Sequence, residues 1–178
     1  MTLLPLPSPL PALPSSWNNF GTDIHQDLIE AQYAALVNRS RHVDGVPTSL
    51  LDLGYASAGI DDGWQKCNSG PGGVGFHDQK GYPIVDESKF PDMKAMTAKA
   101  RSLGLTPGWY GNNCDCKEER PACDMVNGSD LCFVGDVAAT LEYGFGSIKI
   151  DSCGIQRNMT HYGVLSSARS QAAFCFQL

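Results

Sequence analysis

Apolar residues recur along this chain at two alternating periods. From Asp23 to Val37 the residues Ile24, Leu28, Ile29, Tyr33, Leu36 and Val37 fall at helical spacing and predict one buried stripe, with Asp23 placed to cap its start. After a loop around Asp44-Gly45-Val46-Pro47, the run Tyr55 to Ile60 predicts a short strand closed by Asp61-Asp62-Gly63. Met93, Met96, Ala100 and Leu103 predict a second amphipathic helix, introduced by Pro91-Asp92 and stopped at Gly104. Leu105 to Tyr110 reads as a strand, Asp136 to Tyr143 as a helix and Ser147 to Asp151 as another strand. A last helix starts after Thr160, with Tyr162, Val164, Leu165 and Ala168 as its apolar positions. Strands that alternate with helices pair in parallel and carry helices on their faces, which makes the chain α/β.

Polar chemistry gathers where these strands end. Asp61 and Asp62 close the first, Tyr110 the second, and Lys149 and Asp151 the third. In a parallel α/β sheet the loops at the strand carboxyl ends can vary while the sheet fixes their roots, so ligands bind there. Lys149 and Asp151, two residues apart, leave a strand from one face, while Ile148 and Ile150 leave from the other. A structural salt bridge at a strand end, and a turn or helix cap at Asp61-Asp62-Gly63, are the plainer readings of the same residues.

Composition adjusts this picture in a few places. At 178 residues the chain has the length of one domain, and it is too short for a complete eight-fold barrel of about 250 residues. A net charge of −6 argues against a nucleic-acid surface, and no apolar run reaches the roughly 18 residues of a membrane span. Met1 to Ser16 carries five of the eleven prolines and lacks the basic leader and unbroken apolar core of a signal peptide, so residues 1–14 read as an extended lead-in to a domain over residues 15–178. Five of the seven cysteines lie between Cys114 and Cys153. With the sequons Asn38-Arg39-Ser40, Asn127-Gly128-Ser129 and Asn158-Met159-Thr160, they favour a secretory or lysosome-like compartment. Gly70-Pro71-Gly72-Gly73-Val74-Gly75 formally matches the dinucleotide fingerprint, but it does not join a strand to a helix and reads as a surface insertion. His25, His42, His77 and His161 show no metal-ligand spacing and read as surface or capping residues.

The ordered segments Tyr55 to Trp64, Lys89-Phe90-Pro91-Asp92-Met93-Lys94, Gly108-Trp109-Tyr110 and Tyr143 to Cys153 together resemble the α-galactosidase (melibiase) family of glycoside hydrolases. The resemblance runs from about Ser15 to Tyr162. It implies the first four strand-helix units of a (β/α)8 (TIM) barrel, acting on terminal α-linked galactose with retention of configuration and without metal or organic cofactor. It makes Asp151 the nucleophile that forms a glycosyl-enzyme ester. Lys149 would hydrogen-bond sugar hydroxyls and keep the nearby carboxylate ionised. Asp61 and Asp62 would accept from the 4- and 6-hydroxyls, while Trp17 and Tyr110 would line the sugar pocket. A carbohydrate is then the expected partner, and neither nucleic acid nor membrane.

The same resemblance pairs Cys153 with a cysteine after the third strand, Cys116 before Cys114, leaving Cys123 with Cys132 and Cys67 with Cys114. A zinc site of Cys114, Cys116, Cys123 and Cys132 is the competing reading, although paired Cys-x-x-Cys knuckles are missing. Two departures stand out. Leu13-Pro14 replaces the family's Gly-Trp before Trp17, and no residue up to Leu178 matches the general acid/base that retaining hydrolysis needs. The expectation is therefore the amino-terminal half of such a hydrolase, inactive by itself. The alternatives are a non-catalytic carbohydrate-binding half-barrel or α-N-acetylgalactosaminidase specificity.

Overall fold

The computed structural model describes residues 15–111, 114–116, 123 and 131–150, together with the backbone of 175–177. Four parallel strands form its sheet: β3 (Ser57–Gly59), β4 (Thr106–Tyr110), β5 (Ser147–Lys149) and β6 (Cys175–Gln177), hydrogen-bonded in that order. Ser15 adds a parallel bridge to Gly59 on the far edge of β3. The chain enters through α1 (Trp17–Phe20), α2 (Gln26–Val37) and a small antiparallel hairpin, β1 (His42–Val43) and β2 (Val46–Pro47). Asp44 and Gly45 have φ of 51° and 80°, the left-handed pair that a two-residue hairpin turn uses.

Helices α3 (Met93–Ser102) and α4 (Leu131–Tyr143) connect β3 to β4 and β4 to β5. In α3 the buried positions Met93, Met96, Thr97 and Ala100 repeat at three and four residues, as the sequence requires of a one-sided helix. Asp92 caps it by accepting from the Ala95 N–H at 2.8 Å. Gly104, with φ of +81°, ends the turn beyond it. Helix α2 buries Ile29, Tyr33 and Leu36, but its cap is His25, whose Nδ1 accepts from the Leu28 N–H at 3.3 Å, and not Asp23. Lys99 on α3 reaches Glu30 on α2 at 2.6 Å.

Helix α4 starts five residues before the sequence pattern suggests, at Leu131 and not Asp136. Leu-Cys-Phe-Val-Gly is apolar on every side, and a short apolar run carries no period that separates helix from strand. Tertiary packing decides it. A Cβ on Gly135 would sit 1.8 Å from the Gly81 carbonyl oxygen, so the helix lies directly on the backbone of the preceding loop. The core between sheet and helices is aromatic: Trp109 stacks on Phe145 with centroids 5.1 Å apart, and Trp64 meets Trp109 at 4.6 Å. Residues 70–76 form turns and bends with neither strand nor helix, which disposes of the dinucleotide motif. The helix expected after Thr160 lies outside the described residues, and β6 is a strand that no sequence pattern announced.

Candidate active site

Strand register assembles the polar cluster. Gly59, Gly108 and Ser147 are paired across β3, β4 and β5, and Tyr110 pairs with Lys149 two residues further along. Asp61 follows Gly59 by two residues, so it joins Tyr110 and Lys149 at the carboxyl end of the sheet, as expected for side chains on one face. The other face carries Ala58, Ile60, Trp109, Ile148 and Ile150, all buried against the core.

Lys149 Nζ lies 2.8 Å from Asp61 Oδ2 and 5.2 Å from the centre of the Tyr110 ring. Asp61 is 1% exposed, and burial so deep is costly for a carboxyl group unless its oxygens find donors. Besides Lys149, Oδ2 accepts from the Ser15 hydroxyl at 2.5 Å, and Oδ1 accepts from the Asp62 N–H at 3.0 Å. The Asp61 N–H in turn donates to Ser16 Oγ at 3.0 Å. Ser15 and Ser16 are site residues that sequence reasoning missed. The resemblance that singles out Trp17 gives the two serines before it no role, and the parallel bridge from Ser15 to Gly59 is what brings them to Asp61.

Asp62, equally buried, is held by neutral donors. Its Oδ1 accepts from the Gly63 N–H at 2.9 Å and its Oδ2 from the Asp115 N–H at 3.1 Å. Burial pushes this carboxyl above the usual range, while hydrogen bonds from Gln65, Gly63 and Asp115 pull it back. Gly63 is obligatory here: its φ is +105°, and a Cβ would lie 2.7 Å from the Thr22 carbonyl oxygen. Lys89 ties the same turn down, donating to the carbonyls of Thr22 at 3.0 Å and Gly63 at 3.1 Å. That gives the lysine of the Lys89-Phe90-Pro91-Asp92 motif a structural role which the sequence left unassigned.

The Tyr110 hydroxyl donates to Cys114 Sγ at 3.1 Å, and the Tyr110 carbonyl accepts from Trp64 Nε1 at 2.9 Å. Trp17 starts α1 two residues after Ser15, with 46% of its surface exposed. Asp151 and Cys153 fall outside the described residues.

The cysteine pairing differs from expectation. Cys116 is bonded to Cys67, with Cα atoms 5.1 Å apart, so it is the partner neither of Cys153 nor of a zinc ion. The pairing of Cys67 with Cys114 falls with it, and Cys114 is itself in a disulfide. Cys123 and Cys132 are joined as expected. Their sulfurs and His77 offer ligand atoms within 4.8 Å of one another, but disulfide sulfur is not the thiolate that a metal needs. His77 is a buried residue, contrary to the surface or capping role expected. Its Nε2 lies 2.8 Å from Asp136 Oδ1, and an isolated histidine in the sequence gives no sign of so distant a partner.

A cavity of about 230 Å³ opens between α1, α2 and β3, walled by Ser15, Ser16, Tyr33, Leu36, Ala58 and Gly59. It touches the back of the serine pair and excludes Asp61, Asp62, Tyr110 and Lys149, so we place the site at the ionic cluster and not at the cavity. What the cluster offers is chemically specific. One carboxylate is neutralised by a lysine, a second is supported by N–H donors, and an aromatic ring stands beside them: acceptors and a donor suited to a polyhydroxylated ligand.

A parallel sheet in sequential strand order, joined by helices and carrying carboxylates and a lysine at the strand carboxyl ends, defines an α/β protein. No family model matches the chain. Over 154 residues it is 33% identical to the protein named "Probable alpha-galactosidase B" of Aspergillus clavatus, a match taking in 85% of this chain and 30% of that one. The alpha-galactosidase of Cyamopsis tetragonoloba is 28% identical over 142 residues, 78% of this chain and 29% of its own. Among solved structures, the α-galactosidase of Saccharomyces cerevisiae superposes with a TM-score of 0.65 at 17% identity, covering 91% of this chain and 34% of that one. The same enzyme is also known with raffinose. The chain is thus homologous to one segment of the α-galactosidase family of glycoside hydrolases, spanning about three-tenths of the length of these curated relatives. Among the described residues, no helix is long and apolar enough to cross a membrane.

Proposed function

We propose that residues 15–178 form the first four strand-helix units of a (β/α)8 catalytic barrel that hydrolyses terminal α-linked galactose with retention. The observation that carries this reading is the Lys149–Asp61 ion pair set beside Asp62 and Tyr110 at the carboxyl end of the parallel sheet. Homology to α-galactosidases, one of them solved with raffinose, supports the same substrate class. Asp61 and Asp62 accept from the 4- and 6-hydroxyls of galactose. The axial 4-hydroxyl is thereby read: an epimer that points it elsewhere loses a charge-assisted hydrogen bond to a carboxylate buried away from water. Lys149 supplies the cation, Tyr110 and Trp17 bound the sugar, and Asp151 attacks the anomeric carbon. Retention needs a second carboxyl about 5 to 5.5 Å from the nucleophile, and no residue of the 178 matches the family's acid/base. These residues alone therefore bind galactose without turning it over. The disulfides Cys67–Cys116 and Cys123–Cys132 suit an oxidising, secretory compartment.

Calorimetry with galactose and glucose, and release of nitrophenol from an aryl α-galactoside, test this together. Expected are binding of galactose over glucose, its loss on Asp62→Ala, and no sustained turnover. A chain that binds neither sugar sinks the reading, and one with steady turnover abolished by Asp151→Asn overturns the claim of inactivity.

A further inference from the structure

The loop after β4 is fastened on both sides of one backbone donor. Asp115 donates its N–H to Asp62 Oδ2 at 3.1 Å. The next residue, Cys116, is buried and bonded to Cys67, 49 positions away in the loop that follows Asp62. The preceding residue, Cys114, takes the Tyr110 hydroxyl at 3.1 Å. The Asp115 side chain itself is exposed, so the contribution to Asp62 is made by the main chain.

We propose that the Cys67–Cys116 disulfide is a positioning element, clamping the Asp115 N–H onto Asp62 Oδ2 and so fixing both the orientation and the charge of a carboxylate at the site. An N–H on an exposed loop exchanges readily between a protein acceptor and water. Tying its neighbour to the loop that carries the acceptor restricts that exchange and reduces the ordering cost of the bond. A backbone N–H donated to a carboxylate favours the ionised form, against the burial that raises Asp62. Other charged groups nearby are Asp61 with its counter-ion Lys149 from β5, the Asp115 carboxylate, which repels, and Lys89 on the Gly63 carbonyl. Asp61, Lys149 and Lys89 lie outside the two loops that the disulfide joins at Cys67 and Cys116, and Asp115→Ala reads the effect of the Asp115 carboxylate apart from that of its N–H. The ligand side of this inference rests on the galactose reading, but the clamp itself does not.

The test is carbon-13 NMR titration of aspartate carboxyls in the full chain, alongside galactose calorimetry at several pH values. In Cys67→Ala/Cys116→Ala the Asp62 midpoint is expected to rise by about one pH unit. Galactose binding should weaken about tenfold below the shifted midpoint, and the gap should narrow above it as both forms ionise. Asp115→Pro deletes the N–H with the disulfide intact and should reproduce the rise. Asp115→Ala keeps the N–H, removes the repelling charge and should not. If the cysteine variant fails to fold, Cys67→Ser/Cys116→Ser is titrated in its place, because Asp115→Pro reads the N–H and not the disulfide. An Asp62 midpoint unchanged in the cysteine variant overturns the clamp, and one unchanged in Asp115→Pro overturns the role given to the N–H. Absence of galactose binding in the wild-type chain sinks only the functional reading, because the titration still reports on the clamp.

Discussion

Replacing Lys149 by methionine removes the cation that stands 5.2 Å over the Tyr110 ring and keeps an unbranched side chain of similar length. The partner left behind, Asp61, is 1% exposed, whereas the lysine side chain is 30% exposed. At a separation of 2.8 Å and an effective dielectric of about 20, the gross attraction is about 6 kcal/mol. Much of that is offset by the cost of drying both charges, and breaking a fully buried pair from one side typically destabilises by about 3 to 5 kcal/mol. Two features reduce the figure here. Lys149 keeps part of its hydration, and Asp61 retains the Ser15 hydroxyl and the Asp62 N–H as donors. The expected loss for Lys149→Met is therefore about 2 to 3 kcal/mol in urea unfolding at neutral pH. Adding Asp61→Asn removes the stranded charge, so the double variant should be more stable than Lys149→Met alone, with a coupling of about 1 to 2 kcal/mol. A loss below about 0.5 kcal/mol, or additive single effects, refutes the argument that this pair neutralises a buried charge.

Two further outcomes follow from packing and capping. Gly135→Ala would gain about 1 kcal/mol of helix propensity, but its methyl meets the Gly81 carbonyl at 1.8 Å with backbone on both sides. A net loss of about 3 kcal/mol or more in thermal or urea unfolding is expected, and an unchanged stability would show that α4 does not rest on that loop. Asp92→Ala deletes the cap on α3 and should cost about 1 kcal/mol, whereas Asp92→Asn should cost little, because it still accepts from the Ala95 N–H. Urea melts of the pair check this, and equal losses would mean that the acidic charge, not the acceptor, holds the helix end.

Much of the scaffold is legible in the chain. The three-and-four spacing of Met93, Met96 and Ala100 requires a one-sided helix, and Asp92 and Gly104 mark its ends through local hydrogen bonding and a left-handed turn. The same holds for the alternation of Lys149 with Ile148 and Ile150, since a strand sends successive side chains to opposite faces whatever surrounds it. Asp61 and Asp62 stand out as paired carboxylates at a strand end, and the strand-helix alternation is enough to make the sheet parallel.

Tertiary structure decided everything that depends on distant partners. Residues 131–135 became helix because an apolar run takes its conformation from what it packs on, here the backbone at Gly81. Cys116 took Cys67 across 49 positions, a choice that spacing cannot make when several cysteines compete within one loop. His77 found Asp136, and Ser15 and Ser16 found Asp61, through the register of the sheet and the seating of α4. The sequence by itself determined which residues carry charge and which face of each element they leave from, because those depend on covalent geometry and local period. Whether a given carboxylate meets a lysine, a serine or a backbone N–H was settled only by folding, because burial makes each charge seek the nearest partner in space and not along the chain.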